Sequence, residues 1–384
     1  MNSTIKLYEE DVYRRDFCAT VLACEPFGDA FRVALDATAF FPEGGGQPAD
    51  KGALGEARVT DVKEKDGIIW HTVTVPLRKG ACVQGDIDFT RRLDHMQQHS
   101  GEHIVSGIVH AQYGYNNVGF HIGDDTVTVD FSGVLTADDI ENVEKSSNWI
   151  IWKNVSVNVT YPSPTELSHL EYRSKKEIDG QVRIVSIGKT DVCACCGTHV
   201  SRSSEVGIIK LISAQSYKGG MRVTMVCGMR ALADYERKCK NVDAISVQLS
   251  AKPDETAAAV KRLADENIAL HAQLAAAENK IFEKTADEFA GKSRAVCFED
   301  NLSPDSQRRM CLALCEKCDG ICAVFSKKDD GYQYAIGIKS GDVRDTVKAL
   351  NAAHNGKGGG KPALCQGSVA KASREDVEKF FEKI

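Results

Sequence analysis

Over residues 1–88 short runs of alternating apolar and polar residues, FRVALDATAFF, EARVTDV and GIIWHTVTV, are separated by Gly- and Pro-bearing stretches such as PEGGGQPADKG. Alternation at period two, broken by turn residues, predicts a small antiparallel sheet or barrel, an all-β domain. The period changes at DFTRRLDHMQQHSGEHIVSGIVHAQYG. There Leu93, Met96, Ile104 and Ile108 recur at helical spacing behind Asp88 or Thr90 as N-cap, which predicts an amphipathic helix of about 20 residues.

Strand-like TVTVDF follows, then a helix over TADDIENVEKSSNWIIWKN with Thr136 as its N-cap, then the strictly alternating VSVNVTY. VGIIKLI and MRVTMVC flank SAQSYKGG as the arms of an antiparallel hairpin. Helices followed by antiparallel strands make 89–235 an α+β domain. From about 240 to 290 the chain is rich in Ala, Glu and Lys. Val260, Leu263, Asn267, Leu270, Leu274, Ala277 and Ile281 fall at alternating three- and four-residue steps, a heptad seam with Asn267 at an a position. The seam predicts either a homodimer through 240–290 or a long helix packed on its own protein. Beyond it AVCFED, a helix around Gln307–Cys318, GICAVFS and YQYAIGIKS, then a Gly-rich loop and a terminal helix, read as an α/β domain over 293–384. The expected boundaries are therefore 1–88, 89–235, a helical linker 236–292, and 293–384.

Composition narrows the class. A chain of 384 residues exceeds one compact core, and 42% hydrophobic with 27% charged residues is ordinary for a soluble globular protein. No run of 18 uncharged apolar residues occurs and the N-terminus lacks an apolar signal core, so a cytoplasmic protein with no membrane partner is expected, its 14 cysteines reduced. With a formal net charge of −6, a nucleic acid would have to be held by local basic patches.

The chemistry concentrates in two stretches. In HSGEHIVSG, His99 and His103 lie one helical turn apart and can share a cation; His95 extends the series by another turn. In DVCACCGTHV, Cys195 and His199 offer a thiolate and an imidazole, with Gly197 between them to relax the backbone, while Cys193 and Cys196 compete for the sulfur position. Nitrogen ligands from a helix with sulfur and nitrogen from a distant turn suit Zn²⁺.

These two stretches, in this order and about ninety residues apart, resemble the HxxxH and CxxxH halves of the zinc site in the editing domain of alanyl-tRNA synthetase. Freestanding relatives of that domain are the AlaX proteins. TIKLYEEDVY (4–13), ATAFFPEGGGQPADKG (37–52), GFHIGDDTVTVDF (119–131), EVGIIK (205–210) and KGGMRVTMVCG (218–228) resemble further segments of the family. HNGKGGGKPALCQGS (354–368), behind the heptad helix, resembles the DHH-associated domain that ends the synthetase, as in a long-form AlaX.

The resemblance implies an α+β fold: a small N-terminal β-barrel, a zinc-containing α+β editing domain like that of threonyl-tRNA synthetase, the heptad helix and the DHH-associated domain. It implies one Zn²⁺ on His99, His103, Cys195 and His199, leaving His95 outside. The family's turn commonly reads CGGTH, and here Cys196 stands in place of the first of its two glycines. With only a few residues before the barrel, no aminoacylation domain is expected and the protein should act in trans. The implied reaction is hydrolysis of tRNA(Ala) mischarged with Ser or Gly, needed because a pocket shaped for a methyl group cannot strongly reject Gly or Ser.

Within that reading Gln47, His99 and His103 are the candidate catalytic residues. Gln47 is expected to bind the serine hydroxyl, and Gly45 and Gly46 to let backbone approach the substrate. His121 is expected either to line the pocket or to be an inward-facing strand histidine. Lys218, Arg222, Lys357 and Lys361, in or beside Gly-rich turns, are the candidate tRNA contacts. GKGGGK lacks a P-loop frame, so ATP is not expected to be needed. Cys311, Cys315, Cys318 and Cys322 read as core thiols rather than as a second metal site. The competing reading is a tRNA-binding or regulatory protein with a structural zinc and no turnover; a third is the same chemistry on seryl-tRNA(Thr).

Overall fold

The computed structural model describes residues 3–174, 180–370 and 372–384. The chain divides into two compact units, Met1–Asn241 and Val242–Ile384. Both mix helices with sheets. Among the described residues no helix is long and apolar enough to cross a membrane.

In the first unit a two-residue strand, Ile5–Lys6, and a short helix, Leu7–Glu10, precede strands β1 (Asp16–Phe27), β2 (Ala30–Leu35), β3 (Gly52–Leu54), β4 (Ala57–Lys65), β5 (Ile68–Val73) and β6 (Cys82–Ile87). They pair antiparallel in the order β1-β2-β5-β4-β3-β6 and close on themselves as a barrel. Phe17, Ala19, Val21, Val33, Leu35 and Ile69 fill its interior. A register shift in β4 between Val59 and Asp61 lets Val59 and Val62 both face inward, which strict alternation would forbid.

Helix α1 (Phe89–Tyr113) follows, N-capped by Asp88, which accepts a hydrogen bond from the Arg91 N–H, and ended by Gly114 in the left-handed region. It is not amphipathic along its middle. Every residue from Gln98 to Val109 is buried, because barrel, sheet and turn surround the helix. Two glycines permit this approach: a Cβ at Gly101 would lie 2.2 Å from Cys227 Sγ, and one at Gly107 would lie 2.3 Å from the Thr190 carbonyl. A buried Arg92–Asp50 ion pair ties the helix to the barrel, the guanidinium also donating to the Val12 and Ala39 carbonyls.

Strands β7 (Asn117–Ile122) and β8 (Val127–Phe131) and helix α2 (Ala137–Trp152) come next, α2 opening on a Thr136–Asp139 capping box. A small sheet of β9 (Val157–Thr160), β10 (Ile184–Ile187) and β11 (Asp191–Ala194) leads into the ACCGTHV turn. Strands β12 (Ile209–Tyr217) and β13 (Gly220–Cys227) form the expected hairpin, but they run on to a two-residue turn at Lys218–Gly219, both at positive φ. The four-stranded sheet is ordered β12-β13-β8-β7, and its apolar face packs on α1 and α2.

Helix α3 (Gly228–Leu249) ends before Ser250, itself at positive φ, and α4 (Thr256–Asp287) begins beyond Pro253. The helical segment expected from 236 to 292 is thus two helices. In the second unit β14 (Arg294–Glu299), α5 (Pro304–Lys317), β15 (Ile321–Lys328), β16 (Gly331–Ile338), α6 (Arg344–Ala353), β17 (Lys357–Lys361), β18 (Leu364–Val369) and α7 (Arg374–Glu382) build one sheet of order β14-β15-β16-β18-β17. Only β14 and β15, joined across α5, are parallel. The other pairs are antiparallel, so the expected α/β domain is mostly an antiparallel sheet, its β15–β16 and β17–β18 connections too short for a crossover. Alternate residues of β15 face opposite cores: Cys322 and Val324 meet α5, while Ala323 and Phe325 meet α6 and α7.

Candidate metal centre

α1 presents His99 and His103 one turn apart, and the turn after β11 returns to them with Cys195 and His199. One ligand atom from each of the four lies within 4.8 Å of every other. Cys195 Sγ is 3.4 Å from both His99 Nε2 and His199 Nε2. Of the three competing sulfurs Cys195 joins the four-residue group, while Cys193 falls in a second group with His103 and Asp191. Cys193 sits on β11, and Cys196 Sγ lies 3.4 Å from where a Cβ of Gly45 would be, in the pocket wall.

Gly197 is required for a reason other than backbone freedom. A Cβ there would lie 2.1 Å from His99 Cε1, so the ring rests directly on the peptide.

Each imidazole is oriented from behind. His99 Nδ1 donates to Gln47 Oε1 at 2.9 Å, and His103 Nδ1 donates to Asp191 Oδ2 at 2.7 Å. His199 Nδ1 lies 3.3 Å from Ser100 Oγ. Outward Nδ1 contacts leave the three Nε2 atoms facing inward, the arrangement of metal-binding imidazoles. Asp191 is fixed in turn by the Arg173 guanidinium at 2.7 Å.

The charges agree with that geometry. Burial alone would raise the Cys195 thiol, but the imidazoles of His99, His199 and His103 hold it well below the ordinary range. Burial opposes protonation of His103, and the Cys195 thiolate and the Asp191 bond outweigh it, leaving its pKa well above normal. Burial, with His99 beside it, pushes His199 down to about 3. Burial raises Cys193 to about 11, so it stays a thiol. Three nitrogens and a thiolate suit a borderline-soft ion such as Zn²⁺.

Gln47 does not face the substrate side. It is fully buried; its Nε2 donates to Thr198 Oγ1 at 2.8 Å, and its Oε1 accepts from the Thr198 N–H at 3.1 Å as well as from His99. The expected hydroxyl-binding amide is therefore committed to the two halves of the cluster. Gly45 and Gly46, at φ 60° and 86°, make the tight turn bridging Gly44 and Gln47, and the Gly46 carbonyl accepts from the Ile122 N–H at 3.0 Å. Both glycines line the pocket of about 550 Å³ beside the cluster.

His121 is exposed on the far side of β7 and does not line that pocket; its neighbour Phe120 does, its ring 4.9 Å from that of His99. Glu102 and Arg183 also line it and were not singled out from the sequence. The signal for Glu102 was present: HSGEH carries an acid beside the second histidine, the H-x-x-E-H pattern of some zinc enzymes. His95, as expected, lies outside the cluster. It is buried, its Nδ1 finds no hydrogen-bond partner among the described residues, and burial lowers its pKa to about 4.

The expected tRNA contacts are divided between the two units. Arg222 is paired with Asp130 at 2.6 Å and stacked 3.8 Å over Tyr217, which removes it from the free cations. Lys218 is exposed in the β12–β13 turn. Lys357 and Lys361 belong to the other unit, on the exposed edge strand β17 rather than in a loop. Packing dictates two of its glycines, since a Cβ would lie 2.4 Å from the Tyr334 hydroxyl at Gly358 and 2.4 Å from the Leu364 carbonyl at Gly360, while Gly359 faces open space. Cys311, Cys315, Cys318 and Cys322 are all buried in the core under α5, and among the described residues they make no metal-binding group.

Comparison with known proteins addresses the same segments. Residues 182–223 match the family model described as threonyl and alanyl tRNA synthetase second additional domain, 291–384 the DHHA1 domain, and 19–91 the class II (A) tRNA synthetases. The alanyl-tRNA editing protein Aarsd1-B of Xenopus laevis is 29% identical over 98% of this chain and 97% of its own. AlaX-L of Pyrococcus horikoshii is 27% identical over 99% and 98%. Mouse alanyl-tRNA editing protein Aarsd1 is 30% identical over 67% of each chain. Relatives that share the region of the His and Cys ligands, and in two cases nearly the whole length, leave one conclusion: the chain belongs to the family of alanyl-tRNA editing proteins.

Proposed function

We propose that the chain is an aminoacyl-tRNA hydrolase that proofreads tRNA(Ala), releasing Ser or Gly attached in error. The observation that carries this is the convergence of His99, His103, Cys195 and His199 on one point beside an open pocket, each imidazole oriented by an outward Nδ1 contact.

The residues fit one Zn²⁺. When bound, it would supply Lewis acidity toward an ester carbonyl or a water molecule. The chain's own part is to hold and exclude. Gln47 and Asp191 fix the His99 and His103 rings, Gly197 allows the close ring contact, and Phe120 walls the pocket. Gly45 and Gly46 bring backbone to the pocket wall, where Gly46 packs directly against Phe120. In this reading Gln47 is a positioning residue. A second copy is the proposed partner along α4, where Val260, Leu263, Leu270, Leu274 and Ile281 are each at least half exposed.

The test is release of labelled serine from seryl-tRNA(Ala) and of alanine from alanyl-tRNA(Ala), with native protein and Cys195→Ala, after bound zinc has been measured. Serine-selective release that disappears together with zinc is the expected result. Zinc-replete protein that binds tRNA without turnover overturns it in favour of a structural zinc, a reading that four protein ligands would also suit. Equal release from seryl-tRNA(Thr) would overturn the choice of tRNA(Ala).

A further inference from the structure

α2 exposes two tryptophans near its C-terminus: Trp149 is 56% and Trp152 71% accessible, with ring centroids 6.0 Å apart. Indoles are costly to leave in water. The Lys153 ammonium lies 5.9 Å from the Trp149 ring centre. Between α2 and α1 the two rings border a groove of about 560 Å³ whose lining includes Lys145 and Lys189 and, among the described residues, no carboxylate. Lys145 is ion-paired to Glu141, also exposed, whereas Lys189 stands on the turn before β11.

Shared lining residues link this groove, through a second one, toward the pocket beside the cluster. The groove shares Gly107, Ala111, Lys189 and Thr190 with a neighbouring groove of about 920 Å³, which shares Ser174 and Cys193 with the pocket beside the cluster.

We propose that Trp149 and Trp152, whose ring planes stand at 79°, each offer a stacking face to unpaired nucleotides of an RNA 3′ end, with Lys153 and Lys189 beside them to meet the phosphates. This rests on the proposed function, for an ester at the end of an RNA must be preceded by nucleotides that lie on the surface leading away from the site. Aromatic faces that accept any base, set among cations, are how single strands are held without sequence readout. The lining residues shared toward the metal-side pocket, and the exposed cations Lys189 and Lys153 beside the indoles, favour a nucleic acid over a protein partner.

The experiment uses the full chain and its intrinsic fluorescence, since the remaining tryptophan, Trp70, sits in the barrel 4.8 Å under Arg32. A short single-stranded RNA ending in CCA is titrated against a blunt RNA hairpin without overhang. The single strand is expected to quench tryptophan emission and the hairpin is not. The double variant Trp149→Ala/Trp152→Ala should bind the strand at least about tenfold more weakly, on the order of one lost stacking contact. Lys189→Glu should weaken binding and flatten its salt dependence. With seryl-tRNA(Ala) the tryptophan variant should raise KM more than it lowers kcat, at unchanged zinc content and thermal midpoint. Strand binding unaffected by the tryptophan changes overturns the proposal and assigns the rings to another partner. Native protein that binds the strand through the tryptophans yet releases no serine sinks the hydrolase reading and leaves the stacking faces standing.

Discussion

At the residue scale the metal centre depends on atoms behind the ligands. Asp191→Asn should lower zinc affinity about 10–100-fold, because the His103 ring loses its anionic partner, as competition with a chelator would measure. Gly197→Ala should have a comparable effect through steric displacement of His99, with little loss of overall stability; unchanged zinc affinity would contradict the contact described. That His99, His103, Cys195 and His199 come together was expected from the family resemblance, since spacing alone left His95, Cys193 and Cys196 in contention. The role of Gln47 was not legible in the sequence, since a Gly-rich turn looks the same whether its amide faces a substrate or the back of a histidine. His121 was misplaced by one residue, and period two in a strand sends that residue to the opposite face.

At the element scale α1 is held between barrel and sheet by the Arg92–Asp50 pair. Asp50→Ala should destabilise the first unit by about 3–5 kcal/mol in denaturant titration, since a buried guanidinium is left without its counter-ion. The barrel also has a pH dependence of its own. His71 is fully buried, its Nδ1 donating to the Val33 carbonyl at 3.1 Å and its Nε2 accepting from the Thr38 hydroxyl at 2.8 Å. Burial lowers its pKa from 6.5 to about 4. The folded state thus binds fewer protons than the unfolded chain between those values. Stability complete above pH 6.5 should fall by up to about 3 kcal/mol as pH drops toward 4, and His71→Gln should remove that slope from the unfolding midpoint measured against pH. Element types were readable from periodicity, and caps such as Asp88 and Thr136 were readable too. The burial of α1 on all sides was not, because a helix containing Gln98, Ser100, Glu102 and Ser106 looks amphipathic until partners for those groups are known.

At the scale of the whole molecule the apolar seam of α4 sets the expected solution state. Light scattering should report a dimer, and Leu263→Glu/Leu270→Glu should give a monomer with unchanged zinc content; a monomeric native protein would remove the seam as an interface. The mostly antiparallel pairing of the second unit was hidden in the sequence. A stretch such as KGGGK carries no side-chain alternation by which an edge strand declares itself.

The wide separation in sequence of the parts of the centre has a consequence for how the protein is made. His99 and Cys195 stand 96 residues apart, and Gln47 and Thr198 stand 151 apart. On a ribosome adding about 5–20 residues per second, α1 emerges roughly 5 to 20 seconds before its partners in the ACCGTHV turn. The closing of these long loops is a slow, non-local step of the kind that limits folding rates. Because ion binding is coupled to folding, the metal would be captured at that late step and would hold the last-arriving turn against the helix that had waited for it.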